Sequence, residues 1–255
     1  MKAREARRRP GGTATPGRYG DAREGMGAGC RADSDRMGPM EPLDSQVGFL
    51  LEADRLKTVL RQTTLTDRSR RENSAEHSWH LALMALVLAE HAPPGTDLGR
   101  VMAMVVLHDL VEIDAGDLFV YAAQAEQARQ ERAERAAADR LFALLPPAQA
   151  SSFRALWDEF EERATVEAKF ARALDRLEPM LINMVTEGGT WAAHGVTADQ
   201  VLTRVALIED GSPSLGAYAR AMVASAIDRG LLAPPGRRDR DLSRICVTGI
   251  GTERT

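Results

Sequence analysis

The sequence predicts an all-α protein. From Ser45 onward apolar residues recur near every 3.6 positions, Pro and Gly clusters interrupt them at helix-length intervals, and no segment alternates with period two for long enough to demand a strand. At 255 residues, with 44% hydrophobic and 27% charged, the chain can bury one sizeable core and calls for no more than one globular domain. That domain is expected over 43–232, between a disordered arm, 1–42, and a flexible tail, 233–255.

The arm mixes arginines with Gly, Pro and small residues without periodicity, the composition of a chain that cannot bury enough apolar surface to order itself. Met26, Met37 and Met40 lie in frame before the patterned part, so a misplaced start would account for the arm. A first helix is expected from Ser45 to between Arg61 and Thr64, on Val47, Leu50, Leu51, Leu56, Val59 and Leu60. A polar loop, Thr64 to Asn73, leads to a helix from Ala75 to Glu90 with Ser74 as its N-cap. Thr96 or Asp97 opens a third helix, Leu98 to Val111. A long charged helix, Ala122 to Leu145, presents Glu126, Arg129, Glu131 and Arg135 to solvent, and Pro146-Pro147 stops it. Further helices are expected at Ala148 to Glu161, Thr165 to Thr186, Thr197 to Glu209 and Ser214 to Arg229.

Charge and cysteine content narrow the function. A net charge of -4 gives no general attraction to nucleic acid or membrane. Cys30 and Cys246 lie in the weakly patterned ends, and no apolar run suits a membrane span, so the expected setting is a reducing cytoplasm.

Chemistry concentrates in the stretch V-V-L-H-D-L-V-E-I-D-A-G-D, Val105 to Asp117. His108 and Asp109 end an apolar helix and are followed by Glu112, Asp114 and Asp117. Burying so many ionisable groups without partners is costly, and a metal ion satisfies several at once. Consecutive residues diverge by about 100° on an ideal helix, so the pair converges only at a loosened terminal turn, where the helix dipole also favours a cation. Alone, the pair reads equally well as a surface helix end. His77 and His80 share a face in the preceding helix, and either alone reads as a core histidine. Asp175 stands among Leu174 and Leu177 inside an apolar helix, where an unpaired carboxylate is expensive. Pro179 removes the amide that would bond the Asp175 carbonyl, predicting a kink.

The order H, then H-D, then D resembles the HD-domain metal-dependent phosphohydrolases. The blocks L-K-T-V-L-R (Leu56 to Arg61), E-N-S-A-E-H-S (Glu72 to Ser78), H-D-L-V-E-I-D-A-G-D (His108 to Asp117) and E-A-K-F-A-R-A-L-D-R-L-E (Glu167 to Glu178) resemble its 5′-deoxynucleotidase branch. That resemblance implies an HD-domain helical bundle in which His77, His108, Asp109 and Asp175 hold one divalent cation, with Mn²⁺, Co²⁺, Fe²⁺ and Mg²⁺ all admissible. It makes Glu112 the acid beside the attacking water and Asp117 a second acid that contacts that water or the sugar, and in some relatives both are ligands of a second metal together with the carbonyl of Leu118. Arg61 corresponds to the arginine that orients the phosphate, although a helix-terminal arginine could also serve its own carbonyls. Gln62 replaces a tryptophan of a bacterial relative, next to the substrate. Gly188 to Gly195 and Asp114 lie outside the pattern. The implied activity is hydrolysis of a deoxynucleoside 5′-monophosphate by a homodimeric enzyme. The alternatives are hydrolysis of another phosphoester or a nucleoside triphosphate, and a non-catalytic metal- or nucleotide-binding regulator.

Overall fold

The computed structural model describes residues 42–233, so the expectations for the arm, the tail and both cysteines lie outside the described residues, Pro42 and Ala233 excepted. Pro42 opens the first helix, α1 (Pro42–Ala53), and Ala233 bridges to Thr197.

The first helix is shorter than its apolar spacing predicts. It stops at Ala53, a 3-10 turn spans Asp54–Thr58, and the chain then forms an antiparallel pair, β1 (Leu60–Thr64) with β2 (Arg71–Asn73). The expected helix end and polar loop are therefore a small hairpin. Two β-branched threonines favour extension, Arg68 makes the turn at a left-handed φ of 61°, and the Arg71 guanidinium ties down the carbonyls of Leu60 and Arg61.

The next helix, α2 (Ser74–Val87), is capped by Asn73 and not by Ser74. The Asn73 side chain accepts from the Glu76 amide at 2.9 Å, and the Glu76 carboxylate accepts from the Asn73 amide at 3.2 Å. Ser74 is thereby free to act elsewhere. Asp97 caps α3 (Leu98–Leu107), accepting from the Arg100 amide. At its end the backbone tightens into a 3-10 turn, His108–Val111, within the terminal turn where the pair is expected to converge, and a short helix α4 (Glu112–Ala115) follows.

The chain continues through α5 (Gln124–Phe142), α6 (Pro147–Glu162), α7 (Val166–Val185), α8 (Gly189–Ala193), α9 (Ala198–Gly211) and α10 (Pro213–Asp228). The all-α expectation holds, with the hairpin as an attachment. Among the described residues no helix is long and apolar enough to cross a membrane.

The most buried helix is α7, which runs on through Pro179. Its Phe170, Leu174 and Leu177 join Leu81 of α2, Met104 of α3, Ile208 of α9 and Ala219 of α10 in the main core. A second cluster, with Phe49, Leu107, Leu110, Phe142 and Trp157, supports the turn after α3 from behind. Trp157 reaches through it to donate to the His108 carbonyl at 3.2 Å.

Contact between α7 and α9 depends on Gly211. A Cβ there would lie 2.2 Å from the Lys169 carbonyl oxygen and 2.9 Å from the Ala173 Cβ. At Gly48, in α1, nothing lies within 4 Å. We expect Gly211→Ala to destabilise the fold by about 1–3 kcal/mol through overpacking, and Gly48→Ala to stabilise it by about 0.5–1 kcal/mol. Urea unfolding of the two variants checks this pair of opposite signs.

Candidate metal centre and active-site cavity

Three elements carry the central donors. The capping box begins α2 so that His77 falls on its buried face, with no exposed surface. The tightened turn after α3 turns His108 and Asp109 inward together, and Asp175 projects from the middle of α7. One ligand atom each from His77, His108 and Asp175 lie within 4.8 Å of one another. His77 Nε2 is 3.2 Å from Asp175 Oδ1, and His108 Nε2 is 3.9 Å from the same oxygen. Asp109 is outside that trio, but its Oδ1 lies 2.9 Å from His108 Nε2.

Ring orientation is set from behind. His108 Nδ1 faces the Val105 carbonyl at 2.8 Å, an acceptor only, so this nitrogen donates there and Nε2 is the one turned toward the carboxylates. That buried Nε2 makes no hydrogen bond. An orphaned imidazole nitrogen facing two carboxylates is what a bound cation would satisfy, so these residues fit a divalent metal.

His77 has its own support, which the sequence reading missed. Its Nδ1 faces Glu178 Oε2 at 3.4 Å and Glu72 Oε2 at 3.7 Å, while the other Glu178 oxygen meets His80 Nδ1 at 3.1 Å. Burial pushes the Glu178 carboxyl up, but the two imidazoles outweigh it and hold it at about 2. Burial first and the Glu178 charge second push Glu72 up to about 7. His80, one of two histidines weighed above, thus serves this acid pair. Glu72, His80 and Glu178 are themselves close enough to hold an ion. Glu178 stands at i+3 from Asp175 inside the same apolar helix, so the reasoning applied to Asp175 could have found it.

Arg61 projects from β1 and does not serve helix carbonyls. Its guanidinium lies 2.9 Å from Asp109 Oδ2, 3.5 Å from Glu72 and 3.8 Å from Asp117. Against the push of burial, His108 and Arg61 hold the Asp109 carboxyl down at about 2. Asp175 is also held well below its usual range, since Arg176, His77 and Arg172 outweigh its burial. Glu112 behaves oppositely: burial, then the charge of Asp109, drive its carboxyl well up. The Ser74 hydroxyl donates to Glu112 Oε2 at 2.6 Å and fixes it in place. Burial raises Asp117 as well.

Arg61, His108, Asp109, Glu112, Asp117 and Asp175 border a cavity of about 280 Å³ that also meets Gln62, Leu118, Arg172, Arg176 and Trp191. The structure thus brings the candidate residues together around one site, with His77 just behind the cavity wall. Asp114 is elsewhere, paired with Arg140 at the surface. The segment Gly188 to Gly195 forms α8, which supplies Thr190 and Trp191 to the cavity and sets His194 against Phe119.

A helical bundle gathering a histidine, an adjacent His-Asp pair and a later aspartate in one buried place defines the HD-domain class. The family's model, described as HD domain, matches residues 53–215, and the chain belongs to that family. Over 135 residues it is 31% identical to 5′-deoxynucleotidase HDDC2 of Xenopus laevis, covering 53% of this chain and 63% of that protein. It is 28% identical over 138 residues to the Homo sapiens protein of the same name, covering 54% and 66%. The chain thus spans somewhat less than two thirds of these relatives' lengths. A crystal structure from Magnetospirillum magnetotacticum MS-1, described as a predicted metal-dependent phosphohydrolase, is 56% identical with a TM-score of 0.74. That match covers 77% of this chain and 98% of the other.

Supporting acids behind a metal-ligating histidine fix its tautomer, and their loss typically costs 10–100-fold in metal affinity. Glu178→Gln is therefore expected to weaken Mn²⁺ binding by about 10–100-fold with the fold retained, as read by calorimetric titration and melting. Unchanged Mn²⁺ affinity would show that Glu178 serves only His80.

Proposed function

We propose that the chain is a metal-dependent phosphomonoesterase that releases phosphate from a small phosphorylated substrate, and that the substrate is a deoxynucleoside 5′-monophosphate, the class suggested by its relatives' names. The observation that carries this reading is the orphaned His108 Nε2, gathered with His77, Asp109 and Asp175 against a cavity that also holds Arg61, Glu112 and Asp117.

His77, His108, Asp109 and Asp175 would hold the cation, and their mixed nitrogen and oxygen set suits Mn²⁺, Co²⁺, Fe²⁺ or Mg²⁺ better than structural zinc. When bound, it supplies Lewis acidity and lowers the pKa of water. Arg61, steadied by Asp109 and Asp117, presents its fork to the phosphoryl oxygens and spreads the charge that grows there. Glu112 takes the proton of the attacking water: its raised pKa suits a base, and Ser74 leaves its second oxygen free for that role. As the water oxygen bonds to phosphorus, the bond from phosphorus to the 5′-oxygen breaks, and Asp117 protonates the departing oxygen. Gln62 and Leu118 flank the nucleoside. The anchoring of Glu112 by Ser74 favours a base over a ligand, and so a single cation over a second one at Glu112, Asp117 and Leu118. In this reading the enzyme is cytoplasmic and homodimeric, and the face of α2 bearing exposed Trp79, Leu83, Leu86 and Val87 offers a seat for a second copy.

The test separates chemistry from metal binding. Glu112→Gln is expected to retain the ion while turnover of deoxynucleoside 5′-monophosphates falls by roughly two to four orders of magnitude, whereas Asp175→Asn should lose the ion itself. Elemental analysis beside a phosphate-release assay checks both. Near-normal turnover in Glu112→Gln would remove it from the mechanism, and no phosphate release by the parent protein with any of the four cations would favour the binding regulator.

A further inference from the structure

Beyond the metal centre, the wall of the same cavity built by α7 carries two guanidinium groups that the mechanism above does not use. Arg172 and Arg176 lie one turn apart on either side of Asp175, and both line the cavity. Arg172 is 9% exposed, and its Nε, like that of Arg176, is buried without a hydrogen-bond partner. Both lean on one carboxylate oxygen: Arg172 Nη1 lies 3.3 Å and Arg176 Nε 3.7 Å from Asp175 Oδ2. The remaining acid in reach is Glu161, 3.9 Å from Arg172. Arg172 is also seated over the Phe160 ring, with 5.0 Å between its guanidinium carbon and the ring centroid, which fixes where the fork points.

Arg172 is buried and Arg176 partly so, and two such cations that share one carboxylate are undercompensated, the more so when that carboxylate gives its charge to a metal. Arg204 and Arg163 add positive charge to the same wall, although Arg204 is committed to the Val120 carbonyl at 2.7 Å and Arg163 lies 3.6 Å from Glu161. Across the cavity, Glu131 and Glu134 of α5 oppose them, and burial pushes the Glu134 carboxyl up, which weakens that opposition. A phosphate group has the charge and the acceptor number to bridge the guanidinium ends that these two cavity-lining arginines present.

We propose that Arg172 and Arg176 form a subsite for a second phosphate of the substrate, so that the preferred ligand is a nucleoside carrying one phosphate at the metal centre and another on its sugar, as in a nucleoside 3′,5′-bisphosphate. This rests on the phosphomonoesterase reading of the cavity and deepens it. The competing role is purely supporting, with both arginines present to hold Asp175.

Calorimetry on the full chain loaded with Mn²⁺, carrying Glu112→Gln to stop turnover, compares 2′-deoxyadenosine 3′,5′-bisphosphate with 2′-deoxyadenosine 5′-monophosphate. The subsite predicts at least about tenfold tighter binding of the bisphosphate, as expected for added charge-assisted contacts. Arg176→Gln should erase that ratio while Mn²⁺ content stays the same, and Arg176→Lys should keep part of it. Equal affinity for the two nucleotides before any arginine is changed overturns the proposal without appeal to a variant. So does an Arg176→Gln protein that loses Mn²⁺ and weakens for both ligands alike, which assigns the arginines to Asp175. Phosphate release by the chain without Glu112→Gln is scored separately: its failure discards the phosphomonoesterase reading, while the affinity ratio still reports on the subsite.

Discussion

A carboxylate placed midway along the most buried helix is the constraint around which the other parts are arranged. Asp175 is 4% exposed, and an unpaired charge at such depth would cost several kcal/mol. Its oxygens divide the surroundings into two halves. One faces the imidazoles of His77 and His108, and the other faces Arg172 and Arg176. Each partner comes with its own support: Glu178 and Glu72 behind His77, the Val105 carbonyl behind His108, the Phe160 ring beneath Arg172. Polar groups held at this depth keep one geometry because every alternative strands a charge.

The supporting shell explains features of the fold that a plain bundle would not need. The helix tightens to 3-10 geometry after Leu107, where a continuous α-helix would have splayed His108 and Asp109 apart, and Trp157 fastens the resulting turn through the His108 carbonyl. The hairpin after α1 has a similar use. It carries Arg61 on one strand and Glu72 on the other, so a two-stranded pairing delivers both a cation and an acid to a centre otherwise built by helices. The switch of the α2 cap from Ser74 to Asn73 leaves Ser74 free to hold Glu112.

Most of the fold was legible because long amphipathic stretches announce themselves: α5, α6, α7, α9 and α10 lie within a few residues of where apolar spacing puts them. The hairpin was not, since strands of five and three residues are too short to show a period of two and the preceding leucines mimic a helix. In the site, the histidines and aspartates stood out because such residues are rare inside apolar runs. Arg172 and Arg176 carry no such signal, because charges four apart along a helix ordinarily form a solvated face, and only packing on several sides reveals that this face is buried; Glu178, inside the same apolar run as Asp175, was open to the same reasoning. Glu72 heads the block E-N-S-A-E-H-S, but nothing in the sequence marks its role behind His77.

The central claim is that His77, His108 and Asp175, with Asp109 beside them, are a metal site, and that Glu72, His80 and Glu178 are its support and not a site of their own. Anomalous diffraction at the manganese edge, from crystals of the full chain grown with Mn²⁺, tests this most directly. The account predicts a single strong peak in contact with His77 Nε2, His108 Nε2 and Asp175 Oδ1. A peak bound instead by Glu72, His80 and Glu178, or none at either place, would contradict it.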